Sequence, residues 1–196
     1  MKAIAVFSSF LLMLLCSCND KETDNSGSGQ GTSKPSGVQI GEQAPQFSLH
    51  GYPSLEFNLS DYQGVNTVVL YFYPKDNTPD CITEACSFRD TAAEFSRRGA
   101  MIVGVSSDDL ASHELFADEY DLPFPLLADI GSKVRELFGN PDGSKALISR
   151  ITYVIDKQGN VREIISGREA SQLQDHISRS LAVVTQLSGQ ADSDMS

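Results

Sequence analysis

The chain has 196 residues, 40% of them hydrophobic and 21% charged, with 26 acidic against 15 basic side chains for a net charge of -11. A chain of about 150 residues buries roughly two thirds of its unfolded surface, so this length accommodates one domain with its own core and excludes a small scaffold that depends on disulfides. With a sequence pI near 4.6 and no basic run longer than Arg97-Arg98, the composition also excludes nucleic acid as a partner, since a phosphate backbone demands a clustered positive surface.

Lys2 precedes an apolar stretch over residues 3–15, too short for the roughly 20 residues of a bilayer crossing, and residues 1–17 read as a signal peptide. Its end, Leu15-Cys16-Ser17-Cys18, resembles the lipobox of bacterial lipoproteins, which implies acylation of Cys18 as the new N-terminus. An ordinary cleaved signal with incidental cysteines is the plainer alternative. Residues 19–37 contain no Val, Leu, Ile, Met or aromatic side chain and can bury nothing to offset the entropy of ordering. With Cys18 they form the expected tether, residues 18–37, with a reach of about 24 Å. Loss of Lys2 with the leader takes the basic side chains from 15 to 14 against 26 acidic. The expected membrane attachment is therefore through the lipid only, and the expected location is the bacterial cell envelope, with the domain in the periplasm or at the cell surface.

A domain is expected over residues 38–187 and a polar tail over 188–196. Residues 47–49 and 55–59, around His50-Gly51-Tyr52-Pro53-Ser54, read as an N-terminal β-hairpin. Residues 67–73 form a continuous apolar and β-branched run stopped by Pro74, which suits a central strand buried on both faces. Residues 79–98 carry Ala85, Phe88, Ala92 and Phe95 at helical spacing, with Thr78 as N-cap, Pro79 at the first helical position and Gly99 just beyond. A second buried strand over 101–106, a helix over 111–120, a short strand over 125–127 and a helix over 132–138 follow. Residues 151–155 and 161–165 flank the turn Asp156-Lys157-Gln158-Gly159-Asn160 as a hairpin. A closing helix over 169–187 places Leu173, Ile177, Leu181 and Val184 on one stripe. This order predicts an α/β three-layer sandwich with a mixed central sheet and an N-terminal β-hairpin, the order of a thioredoxin-like fold.

Of the four cysteines, Cys16 leaves with the leader and Cys18 is assigned to lipid, so Cys81 and Cys86 remain. His50, His113 and His176 fall in no metal-ligand spacing with that pair, and neither metal nor cofactor is expected. For an exported protein the bland reading is a structural disulfide closing a short loop. If Thr78 caps the helix, however, Cys81 lies in the first turn, where free amides and the positive end of the macrodipole stabilise a thiolate. On an ideal helix five positions separate the two Cα atoms by about 8.7 Å, beyond the about 7 Å that disulfides tolerate. A Cys81–Cys86 bond must then unwind part of the helix, which favours a redox switch over a static bridge.

The segment YFYPKDNTPDCITEACSFRD, residues 71–90, closely resembles the active-site segment of peroxiredoxins, in particular the PrxQ or bacterioferritin comigratory protein subfamily. The likeness extends over about residues 38–185. GEQAPQFSL at 41–49 is similar to that family's opening segment, FPLLAD at 124–129 to a later strand, and SRITYVID at 149–156 to the strand bearing its active-site arginine. The resemblance implies a thiol peroxidase for hydrogen peroxide and organic hydroperoxides. Cys81 would be the peroxidatic cysteine that becomes sulfenic acid, and Cys86 the resolving cysteine that condenses with it into an intramolecular disulfide. Thr78 would hydrogen-bond the peroxide, Pro74 would shield the thiolate, and Arg150 would stabilise thiolate and transition state. Glu84 would be structural rather than chemical. A thioredoxin-like donor would recycle a monomeric enzyme. Asp80 and Ile82 depart from the subfamily's usual Gly and Thr, and a carboxylate beside Cys81 opposes thiolate formation unless it faces solvent or a cation. Two other functions remain open. One is a thioredoxin-like thiol-disulfide oxidoreductase of the envelope, which usually carries C-x-x-C; the other is a non-enzymatic anchored binding domain with a structural disulfide.

Overall fold

The computed structural model describes residues 37–139, 150–167 and 170–193. The expected leader, the Cys18 attachment point and all of the tether but Gly37 lie outside the described residues.

β1 (Ser48–Tyr52) and β2 (Leu55–Asn58) form the first hairpin, turning at Pro53-Ser54. β1 runs three residues beyond the expected boundary because it gains a second partner: Gly51 and Tyr52 pair antiparallel with Leu127 and Leu126 of β5 (Leu126–Ala128). Glycine is required at 51, where a Cβ would sit 2.5 Å from Leu127 Cδ2 and 2.9 Å from the Leu126 carbonyl oxygen. The hairpin thus becomes the edge of the main sheet.

β3 (Thr67–Phe72), buried at every residue as its apolar run predicts, lies centrally. β4 (Ala100–Ser106) pairs parallel with it on one side and β6 (Arg150–Ile155) antiparallel on the other. β7 (Val161–Gly167) closes a seven-stranded sheet of order β2-β1-β5-β4-β3-β6-β7. The Asp156 carboxylate organises the β6–β7 turn, accepting from the amides of Gln158 at 3.0 Å and Asn160 at 2.8 Å.

The two-residue alternation of strand side chains sorts the core into two layers. Val68, Leu70 and Phe72 meet Phe57, Tyr153 and Phe138 on one face, under α3 (Lys133–Phe138). Val69, Tyr71 and Tyr73 meet the helices α1 (Pro79–Arg97), α2 (Leu110–Glu119) and α4 (Leu173–Ser193) on the other. α1 buries Cys81, Ala85, Phe88 and Phe95, one stripe at helical spacing. The Asp109 side chain caps α2 by accepting from the Ser112 amide at 2.9 Å. α3 starts one residue later than expected. Ser132 sits at its N-terminus with φ 57 and does not cap it; the buried Asp129 carboxylate instead accepts from the amides of Val134 at 3.0 Å and Arg135 at 2.8 Å. α4, entered through a 3-10 turn at Ala170–Gln172, runs to Ser193, past the expected end at 187 and into the segment read as a polar tail.

Candidate active site

β3 ends at Phe72, and the chain crosses a short loop before entering α1 at Pro79. This strand-to-helix crossing lies at the carboxyl end of a central strand, where α/β sheets place their sites. Thr78 occupies the N-cap position with extended backbone (φ -91°, ψ 145°), but its side chain makes no cap bond. The hydroxyl turns back to donate to the Lys75 carbonyl at 3.3 Å. The expected side-chain cap is therefore absent, and the first-turn amides at the positive end of the helix are left uncapped by Thr78. Pro74 lies half-buried at the start of the same loop.

Cys81 is 1% exposed. Arg150 opens β6, the strand beside β3, and its side chain reaches across to the start of α1. Its Nη2 donates to Cys81 Sγ at 3.0 Å, its Nε donates to Glu84 Oε2 at 3.2 Å, and its Nη1 lies 4.0 Å from Asp80 Oδ2. One guanidinium thus holds the sulfur and two carboxylates, which the rigid fork of arginine suits better than a lysine would. Asp80, the departure beside Cys81, is 48% exposed and near a cation, the two conditions under which its charge opposes the thiolate least.

Glu84 faces the guanidinium from the next turn of α1 and is fully buried. Burial pushes its carboxyl up to about 8, against the pull of Arg150, while Asp80 adds to the rise. Sequence reasoning treated Glu84 as structural; its contact with Arg150 makes it a positioning group for the cation on Cys81. Behind it, His176 of α4 has Nδ1 at 3.7 Å from Glu84 Oε1 and 2.7 Å from Thr152 Oγ1. Burial, with Arg150 and Arg179 adding, holds His176 down to about 4. His176 is neutral near pH 7, so its approach to Glu84 is not an ion pair at that pH. Thr152 and His176 were missed as site residues. The available signal was the hydroxyl of Thr152 inside the otherwise apolar run of residues 151–155.

Cys86 stands half-buried on α1, and neither it nor Cys81 is disulfide-bonded. Both lie within one unbroken helix, the arrangement in which direct bonding is geometrically barred. The structure therefore brings Cys81, Arg150 and Glu84 into contact, places Thr78 three residues before the sulfur, and leaves Cys86 on a separate part of the helix. A buried thiol held by a cation at a helix start can act as a nucleophile toward a small electrophile.

Comparison with known proteins agrees with this geometry. The AhpC/TSA family matches residues 40–164. Peroxiredoxin Q, chloroplastic, from Triticum aestivum is 42% identical over 151 residues, covering 76% of this chain and 68% of that protein. Among solved structures, peroxidoxin BcpB from Mycobacterium tuberculosis superposes with a TM-score of 0.69 at 32% identity, covering 76% of this chain and 98% of its own. A bacterioferritin comigratory protein from Xanthomonas campestris, described for its alkyl peroxide reduction activity, superposes with a TM-score of 0.63 at 28% identity, covering 72% and 92%.

Proposed function

The chain belongs to the AhpC/TSA family, in its peroxiredoxin Q branch, and is a peroxidase acting on hydroperoxides; from that premise we propose that Cys81 is the peroxidatic sulfur, Cys86 the resolving one, and a thioredoxin-like dithiol the reductant. The observation that carries the assignment is the 3.0 Å contact of Arg150 Nη2 with a Cys81 Sγ buried in the first turn of α1. The Cys81 thiolate attacks the terminal oxygen of ROOH. The S–O bond forms as the O–O bond breaks, the sulfur is oxidised to sulfenic acid, and the leaving RO⁻ takes a proton to become water or an alcohol. Cys86 then attacks the Cys81 sulfur, expelling water and closing a disulfide, and two electrons from the reductant restore both thiols.

Ionising the sulfur alone is insufficient. At pH 7 an unperturbed thiol is about 3% thiolate, so full ionisation adds at most about 30-fold, or about 2 kcal/mol, whereas enzymes gain at least about a millionfold. The remainder falls to donors aimed at charge developing on the peroxide oxygens. We assign that role to the Arg150 guanidinium and the first-turn amides, joined by the Thr78 hydroxyl once it exchanges the Lys75 carbonyl for the peroxide, and we assign to Pro74 the screening of the sulfur from water. Alkyl hydroperoxides stand beside hydrogen peroxide in the proposed substrate range, the activity named for the Xanthomonas campestris relative. The proposal extends to a monomeric enzyme held at the bacterial cell envelope by a lipid on Cys18, a reading supported by the leader and tether composition. The thiol-disulfide oxidoreductase alternative is not favoured, because four residues separate the two cysteines where C-x-x-C has two.

Stoichiometric hydrogen peroxide followed by thiol counting and peptide mapping tests the chemistry. Both thiols should disappear into a Cys81–Cys86 bond, and Cys81→Ser should abolish peroxide consumption; consumption left intact in that variant overturns the proposal. With Cys86→Ser the first attack should survive, turnover should fail, and excess peroxide should drive Cys81 on to sulfinic acid.

A further inference from the structure

The loop between β3 and α1 is gripped from behind by buried groups that the peroxide chemistry does not use. Asp76, midway along it, is 4% exposed. Tyr73 Oη donates to its Oδ1 at 2.7 Å, Ser112 Oγ donates to its Oδ2 at 2.7 Å, and His113 Nδ1 lies 2.9 Å from the same Oδ2. The Asp76 amide donates to Asp108 Oδ2 at 2.9 Å, an oxygen that also accepts from Ser106 Oγ at 2.7 Å. Burial pushes the Asp76 carboxyl up, but the bonds from His113, Ser112 and Tyr73 hold it below the usual carboxylate range. His113, near the start of α2, is fully buried. A carboxylate is tolerated at such depth only when its oxygens are engaged, and here the engagement ties the middle of the loop to α2 and to the end of β4. Immediately after the anchor the backbone turns through Asn77 at φ 55, and the Thr78 hydroxyl takes its bearing from the Lys75 carbonyl one residue before the anchor.

We propose that His113 is a positioning residue for the peroxide reaction: through Asp76 it fixes the loop that carries Pro74 and Thr78, and so fixes where a peroxide meets Cys81. The inference rests on the reading of Cys81 as the peroxidatic sulfur. Loop residues without secondary structure keep conformational freedom unless something external removes it, and a displacement of about 1 Å at a reacting centre costs as much as about 100-fold in rate. The clasp also divides the motion that disulfide formation requires. α1 unwinds from Pro79 onward while Asp76 stays pinned to α2, so the Thr78 end of the loop returns to the same place after each turnover.

The test measures the second-order rate of Cys81 oxidation by hydrogen peroxide in the full chain, by rapid-quench mass spectrometry, beside the thermal midpoint. His113→Leu fills the space without a donor, and His113→Asn restores an amide donor near the position of Nδ1. The leucine variant should react about tenfold or more slowly, and the asparagine variant within about threefold of the parent, although both have lower midpoints. Ser112→Ala, which removes one bond at the half-buried edge of the clasp, should slow the reaction about threefold. A leucine variant that reacts at the parent's rate overturns the inference, as do two His113 variants whose rates follow their midpoints rather than the presence of a donor. Should His113→Leu fail to fold, Ser112→Ala decides, and an unchanged rate there overturns the inference. A parent chain inert to peroxide overturns both this inference and the proposed function, whereas equal rates in a reactive parent and His113→Leu overturn the inference alone.

Discussion

The two faces of the central sheet solve the same packing problem with different residues. Under α3 the core is hydrocarbon and aromatic, Phe57, Phe72, Phe138 and Tyr153 among it, and its buried charges have structural partners. Asp129 caps α3, and Arg135 donates to the Gly139 carbonyl at 2.6 Å and lies 5.4 Å from the Phe72 ring centre. Under α1, α2 and α4 the molecule buries Glu84, Arg150, Thr152 and His176 in a run of contacts that ends on one cysteine. Glu84 Oε1, His176 Nε2, His113 Nε2, Ser180 Oγ and Tyr71 Oη on that side have no hydrogen-bond partner among the described residues. Unpaired buried polar atoms cost about 1–3 kcal/mol each. One face is built to hold the fold together; the other gives up stability to keep a cation and a carboxyl group dry beside a sulfur.

The contrast can be broken most forcefully at Phe138. Phe138→Ala should cost about 3–5 kcal/mol of stability, seen as an earlier denaturant midpoint, with the peroxide rate of the folded fraction unchanged; a slowed rate would mean that the α3 face also serves the site. Arg150→Met should do the reverse. Removing a donor aimed at developing charge should slow Cys81 oxidation about 100- to 1,000-fold, or about 2.7–4 kcal/mol. Unfolding should shift little, since Glu84, pushed up to about 8 by burial, is mostly neutral at pH 7 and is not stranded as an anion.

A smaller effect separates the two faces by pH. Glu84 binds its proton more tightly folded than unfolded, up to about 8 from 4.5, so its contribution makes stability fall as pH rises through that interval. His176, held down to about 4 from 6.5, contributes in the opposite direction, its stability loss growing as pH falls through its own interval. Of these two groups only Glu84 contributes a slope above about 6.5. Glu84→Gln should flatten the decline in denaturation midpoint between pH 6.5 and 8, and an unaltered slope would show that Glu84 is not its source. Asp80→Gly should have the least effect, within about threefold on the peroxide rate, because a carboxylate 48% exposed is largely screened. A large rise would show that its charge reaches the sulfur.

What the sequence discloses follows from how local each feature is. β3 is legible as an uninterrupted apolar run, the start of α1 from Thr78 and Pro79, and the position of Cys81 in that first turn from the same two residues. The hairpin's union with β5 is not legible, since it depends on a close approach at Gly51 between segments about 75 residues apart. The last turns of α4 are not legible either. Residues 188–193 offer no apolar stripe, and the helix continues there because propagation from an already packed helix is cheap, with Ser188 Oγ bonding back to the Thr185 carbonyl at 2.9 Å. Arg150 was found only through family likeness, because nothing in its own neighbourhood says that it reaches a sulfur 69 positions away. Asp76 with His113, and Thr152 with His176, stayed hidden for the same reason: these pairs meet only once α2 and α4 have docked on the sheet.

The near-complete enclosure of Cys81 also governs which molecules the thiol meets. A sulfur 1% open to solvent admits reagents by bulk before it can discriminate by chemistry. A two-oxygen oxidant needs far less of an opening than a tripeptide disulfide or a neighbouring protein's thiol. While α1 stays wound, that enclosure favours a small reagent over a bulky one at this sulfur.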